Sequence, residues 1–94
     1  MRQYELAFII RPDVDDEGVT GTVDKVSQYV KSISGEVTSV DVWGRRVLAY
    51  PIDKHREGVY VLFQTQMPPS GLSELERNLK LSEEIIRYLL VKVE

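Results

Sequence analysis

Apolar residues recur along this chain with two different periods. Tyr4 to Ile10 is a short apolar run rich in aromatic and branched side chains, and Pro12 forbids its continuation as a helix, so a strand is predicted. Val19, Val23, Val26, Val30 and Ile33 then fall at spacings of four, three, four and three, which lays one apolar stripe along a helix from about 16 to 34. Asp15 is placed to cap that helix, Val14 to staple onto Val19, and the acids at 15 to 17 suit the positive end of its dipole. Gly18 and Gly21 each weaken the helix by about 1 kcal/mol relative to alanine, so burial of the stripe must hold the first turns. Gly35 is expected to supply the left-handed residue that ends it.

From Glu36 to Trp43 the residues alternate as a strand should, and after a turn or bulge at Gly44 the strand character resumes from Val47 to Ile52. The polar segment Asp53 to Gly58 reads as a loop and Val59 to Met67 as the third strand. Pro68-Pro69-Ser70-Gly71 breaks it and offers Ser70 as an N-cap. Leu72, Leu75 and Leu79 mark a second helix to about Lys80, and Ile85 to Val93 a fourth strand. Two strand-helix-strand units joined by a hairpin, with right-handed crossovers, predict an α+β ferredoxin-like sandwich: a four-stranded antiparallel sheet with both helices on one face. No repeat, low-complexity tract or linker interrupts the chain, so residues 1–94 are expected to form one domain.

A sheet covered on one face should alternate apolar and polar positions, and here it does so imperfectly. If Leu6, Phe8 and Ile10 face the helices, Ala7 and Ile9 face away; if Val61 and Phe63 face inward, Tyr60 and Leu62 do not; and Arg87, Leu89 and Val91 oppose Tyr88 and Leu90. The face away from the helices is therefore expected to carry an apolar patch of the kind that marks contact with another chain.

Composition narrows the class. With 43% hydrophobic and 29% charged residues the chain is a folded domain rather than a disordered tail. The absence of cysteine removes disulfides, thiolate zinc sites and cysteine nucleophiles. The N-terminus MRQYELAFII lacks signal-peptide character and no apolar run approaches the roughly 20 residues of a membrane span, so a cytoplasmic protein is expected. The net charge of −3 hides two poles: residues 13 to 24 hold five acids and no base, whereas residues 45 to 56 hold four bases and His55 against the single acid Asp53.

Candidate chemistry is sparse. Asp13, Asp15, Glu17, Gly18 and Asp24 fall at calcium-loop positions, but a strand and a proline precede them where a helix is required, and the apolar stripe needs residues 19 to 24 to be helical. His55 between Asp53 and Glu57 reads as a solvated turn. No nucleophile elbow, P-loop or dinucleotide fingerprint occurs, so neither enzyme activity, metal nor cofactor is expected. Tyr60-Val61-Leu62-Phe63 after Gly58 matches the second half of an RNA-recognition signature, but the basic first half is missing, which leaves a half-buried strand with an outward Tyr60. Arg45 and Arg46, with Lys54 and Arg56 beyond, offer planar and point charges suited to phosphate and irregular RNA.

Met1-Arg2-x-Tyr4-Glu5, Pro12-Asp13, the run W-G-x-R-x-L-A-Y-P-I from Trp43 to Ile52, Lys54 and the Gly58-x-Tyr60 pair together resemble the bacterial family of ribosomal protein S-six of the small subunit, over nearly the whole chain. The resemblance implies a structural ribosomal protein that binds the central domain of small-subunit ribosomal RNA as a heterodimer with ribosomal protein S-eighteen. By family position it implies Arg2, Arg45, Arg46, Lys54 and Arg87 as RNA contacts, and Tyr4, Leu48, Tyr50, Tyr60 and Leu62 as the partner-facing or structural set. Val47 departs from the polar or basic residue usual in that run, and the chain stops at Glu94 where many members carry a charged tail. From the residues alone two other readings stand beside it: a free-standing single-strand RNA binder using Tyr60, or a homodimeric ferredoxin-like enzyme or metabolite sensor.

Overall fold

The computed structural model describes residues 1–52 and 54–93. Its elements are β1 (Arg2–Ile10), α1 (Asp16–Ser32), β2 (Glu36–Ile52), β3 (His55–Met67), a 3-10 turn at Pro69–Gly71, α2 (Leu72–Leu81) and β4 (Ile85–Lys92). The strands form one antiparallel sheet in the order β2-β3-β1-β4. This is the ferredoxin-like arrangement the element order predicts, and its central strands β1 and β3 are those with the longest apolar runs, as burial on both flanks requires.

Register decides which side chains share a face. Leu6 pairs with Phe63, Phe8 with Val61 and Ile10 with Val59, and all six are buried beneath the helices. The stripe on α1 supplies Val26 and Val30, and α2 supplies Leu75 and Leu79, each nearly or fully inaccessible. At the centre Phe8 and Phe63 meet edge to face with ring centroids 5.2 Å apart. Removing any one of these large side chains costs about 2 to 5 kcal/mol, a large share of the roughly 5 to 10 kcal/mol expected for a domain of this size.

Polar atoms in this core are answered. Thr65 donates to the Tyr4 carbonyl at 3.0 Å and Thr22 to the Gly18 carbonyl at 2.8 Å. The Ser82 hydroxyl donates to the Asn78 carbonyl at 3.0 Å and shares a 2.8 Å hydrogen bond with the Tyr29 hydroxyl, which ties the end of α2 to α1. Asp15 caps α1 as expected, accepting from the Gly18 amide at 2.8 Å.

Three local expectations are corrected. The left-handed residue after α1 is Ser34, with φ of 66°, not Gly35. The Ser34 amide bonds the Lys31 carbonyl and the Gly35 amide the Val30 carbonyl, which is a Schellman closure carried by a non-glycine residue. Glycine is needed one position later for space: a Cβ on Gly35 would lie 2.9 Å from the Val30 carbonyl oxygen and from side-chain carbons of Val30 and Met67. Ser70 does not cap α2; it sits within the 3-10 turn, and the N-cap of α2 is Gly71, which offers no side-chain cap. The loop predicted from Asp53 to Gly58 is far shorter, because β3 begins at His55, paired with Ile52; Asp53 lies outside the described residues.

Candidate functional site

Away from the helices the sheet presents three rows, read from β2 across to β4. The first is Gly44, Tyr60, Ile9 and Arg87; the second Asp41, Leu62, Ala7 and Leu89; the third Ser39, Gln64, Glu5 and Val91. Polarity therefore changes along the face, from apolar and basic at the β2–β3 hairpin end to polar at the other.

Two irregularities in β2 shape the hairpin end. Between Val42 and Gly44 the register slips, so that Trp43 is an extra residue beside Tyr60, and Gly44 holds φ of +84°, a conformation that glycine adopts freely. Further on, Val47 pairs with Glu57 and Ile52 with His55, which leaves Leu48 to Pro51 opposite Arg56 alone. That surplus bows out over the sheet. Leu48, Ala49 and Tyr50 come to line a cleft of about 250 Å³ against Ile9, Tyr60 and Leu89.

The bow has a fastening. The Arg87 guanidinium on β4 donates to the Tyr50 hydroxyl and also lies 5.7 Å from the centroid of the Tyr50 ring. Leu48 and Ile9 are buried as a result, at 8% and 9% exposure, although neither belongs to the core beneath the helices. The apolar face expected to await a partner is thus partly covered by the chain's own hairpin. Leu89 and Val91 remain open at 60% and 46%, with Tyr60 and Leu62 half-buried beside them.

The predicted basic residues do not converge on one point. Arg46 pairs with Gly58 and so projects toward the open face, as does Arg87, and exposed Lys54 stands at the hairpin tip with φ of 68°. Arg45 projects to the helix side, where it donates to the Pro12 carbonyl. Arg2 pairs with Met67 at the other end of the sheet, eight strand residues from Ile10, or roughly 27 Å at about 3.4 Å per residue. Of the other set, Tyr50, Tyr60 and Leu62 lie on or over the open face, and Leu48, the first residue of the bow, is enclosed within it. Tyr4 is different: at 6% exposure it belongs to the core beneath the helices, so its role is structural and it does not present a surface to a partner.

Shifted titration lies elsewhere on the molecule. A 2.9 Å contact between Lys25 and Glu84 raises the lysine pKa and lowers the glutamate's, its hydrogen bond being the main cause in each. Burial, seconded by a 2.9 Å hydrogen bond to Glu76, raises the Tyr88 pKa. Of the residues predicted from sequence, Arg46, Arg87, Tyr50, Tyr60 and Leu62 bring charge and apolar area to the open face. No cluster of three or more potential metal-ligating side chains occurs among the described residues. No helix among them is long and apolar enough to cross a membrane.

Comparison with known proteins agrees with the fold. The family model described as Ribosomal protein S6 matches residues 3–92. The small ribosomal subunit protein bS6 of Moorella thermoacetica is 46% identical over 94 residues, covering 100% of this chain and 96% of that protein. The bS6 protein of Desulforamulus reducens is 41% identical over 92 residues, covering 98% and 97%. Among solved structures, the 30S ribosomal protein S6 of Thermotoga maritima superposes with a TM-score of 0.93 at 32% identity, covering 98% of this chain and 87% of that one. The C-terminal domain of MgtC from Mycobacterium tuberculosis, at TM-score 0.67 and 14% identity, shares the fold alone.

Proposed function

This chain belongs to the Ribosomal protein S6 family of the small ribosomal subunit, and from that premise we propose that it binds central-domain small-subunit ribosomal RNA together with ribosomal protein S-eighteen. It works in the cytoplasm, on the ribosome, by positioning and without turnover. The observation that carries this reading is the open sheet face, where basic groups and uncovered apolar area lie side by side.

The geometry supports a division of labour. Arg46, Lys54 and Arg87 surround the hairpin end and neutralise phosphates there, each guanidinium able to grip two oxygens. Arg2 makes a separate contact at the far end of the sheet, and Arg45 contributes from the helix side, held by the Pro12 carbonyl. Leu62, Tyr60 and Leu89 supply area for the protein partner, with Tyr50 and Leu48 at its border, while Tyr4 supports the sheet from within. A mildly acidic protein with one basic end binds RNA at a chosen place rather than along its length.

A central-domain ribosomal RNA fragment, titrated with and without the partner over a salt series, tests this. Tight binding that needs the partner and weakens linearly in log salt is expected. Absence of binding in both conditions, with a stable homodimer in solution, overturns it.

A further inference from the structure

We infer that Trp43 is a stacking platform for an unpaired base of the bound RNA. The inference rests on the RNA-binding reading above and extends it to a residue and a chemistry which that reading leaves unassigned. Trp43 is the chain's only tryptophan, is 48% exposed, and is the extra residue of the β2 bulge on the sheet's edge strand. Indole rings are highly buried on average, so an edge-strand tryptophan left half in water suggests a surface that another molecule covers.

The ring is prepared for its face to be used. Its N–H donates to an Asp41 carboxylate oxygen at 2.8 Å, which satisfies the one polar atom of the indole and holds its orientation. Binding then orders little that is not already ordered. Gly44 follows directly, and apart from its two chain neighbours no atom of the described residues lies within 4 Å of where its Cβ would stand, so there is room beside the bulge.

Charge selects the kind of molecule. Arg45 and Arg46 follow in sequence, and among the described residues neither is paired with a carboxylate; their guanidinium bonds go to the carbonyls of Pro12 and Arg45. A nucleotide offers a π-face for the ring and, across its sugar, a phosphate for Arg46, which projects to the same open face as Asp41, the indole's hydrogen-bond partner. An apolar protein surface would match the ring but remove water from the guanidinium groups without repayment. Asp41 repels phosphate from the ring itself, so the base and not the backbone meets Trp43.

Because the tryptophan is single, replacing it biosynthetically with 5-fluorotryptophan gives one fluorine resonance, readable in the presence of an unlabelled partner. Binding is followed in parallel by the anisotropy of a dye-labelled central-domain RNA fragment. Addition of that RNA to the protein pair is expected to move the fluorine signal and reduce its solvent-isotope shift. Trp43→Ala is expected to weaken RNA binding by roughly 5- to 160-fold with an unchanged salt slope, Trp43→Phe to retain part of the affinity, and both to melt near the parent temperature. RNA that binds without moving the resonance overturns the inference while leaving the RNA-binding reading intact. A resonance moved by the partner protein alone, with no further change on RNA addition, also overturns it and makes Trp43 a protein contact. Failure of RNA to bind at all removes the premise and the inference together.

Discussion

Gly58 offers a direct test of how the hairpin end is packed. A Cβ at this position in β3 would stand 2.2 Å from Cγ2 of Ile9 and 3.3 Å from the Ile10 carbonyl oxygen. Carbon atoms rest at about 3.5 to 4.0 Å, so in Gly58→Ala the isoleucine must withdraw by more than 1 Å. Cγ2 belongs to a stiff β-branched side chain that is only 9% exposed, so it withdraws only by leaving its rotamer or by shifting the strand. In a compatible strand position glycine to alanine stabilises by about 0.4 to 1 kcal/mol through the unfolded chain; here the sign is expected to reverse. Overpacking of this kind costs about 1 to 3 kcal/mol. A central value of about 2 kcal/mol corresponds to a melting point lowered by roughly 8 to 16 °C in a domain of this size. The assay is urea unfolding of the parent, Gly58→Ala, Ile9→Ala and the double variant. Ile9→Ala removes the clashing methyl, so the double variant is expected to be at least about 1 kcal/mol more stable than the two single losses added together. A Gly58→Ala protein within about 0.5 kcal/mol of the parent, or strict additivity in the cycle, would refute the packing argument.

Other predictions rest on separate parts of the molecule. Ser34 holds a left-handed φ of 66°, so Ser34→Gly is expected to stabilise by about 0.5 to 1 kcal/mol in the same urea assay, whereas Gly35→Ala destabilises because its Cβ meets the Val30 carbonyl oxygen at 2.9 Å. The Lys25–Glu84 pair lowers the Glu84 pKa below its ordinary 4.5, so its contribution is complete above that pH and is lost as pH falls through the lower folded value. The Lys25 pKa is raised above 10.5, so on the alkaline side the contribution is lost as pH rises through that folded value. Both partners are partly exposed, so Lys25→Met is expected to cost no more than about 1 kcal/mol at neutral pH, with the difference from the parent shrinking in acid melts. Charge reversal at Arg46 is expected to weaken RNA binding and flatten its salt dependence with a melting point within a few degrees of the parent; a large stability loss there would make Arg46 structural. Arg45→Glu is expected to affect both readouts, because its guanidinium also joins β2 to the Pro12 carbonyl.

Much of the fold was legible because it rests on period. The four-three spacing from Val19 to Ile33 predicts α1, and the apolar runs bounded by proline and glycine predict β1 and β3, since burial on one stripe or both faces dictates those patterns before any tertiary contact forms. The errors were local. Gly35 looked like the left-handed residue because glycine has no Cβ penalty, yet the penalty is borne by Ser34 and the missing Cβ at 35 makes room for Val30 and Met67. Ser70 had the chemistry of a cap, but the 3-10 turn ahead of α2 used it first.

The candidate site divides in the same way. The W-G-x-R-x-L-A-Y-P-I run carries its own identity, so family membership was readable from residues in order. What those residues face was not. Tyr4 and Tyr60 are both strand tyrosines, and only the pairing of Tyr4 with Thr65 and of Tyr60 with Ile9 sends one into the core and the other to the open face. Arg45 and Arg46 are neighbours in sequence and point to opposite sides of the sheet. The contact between Tyr50 and Arg87 joins residues 37 positions apart through a bow that no period announces. Sequence by itself determined the elements, their order and the family, because these depend on local period and residue type. Tertiary structure alone decided that the hairpin covers part of the sheet and that the basic residues spread over two faces and two ends, because bulges reset register and register sets the direction of every side chain beyond them.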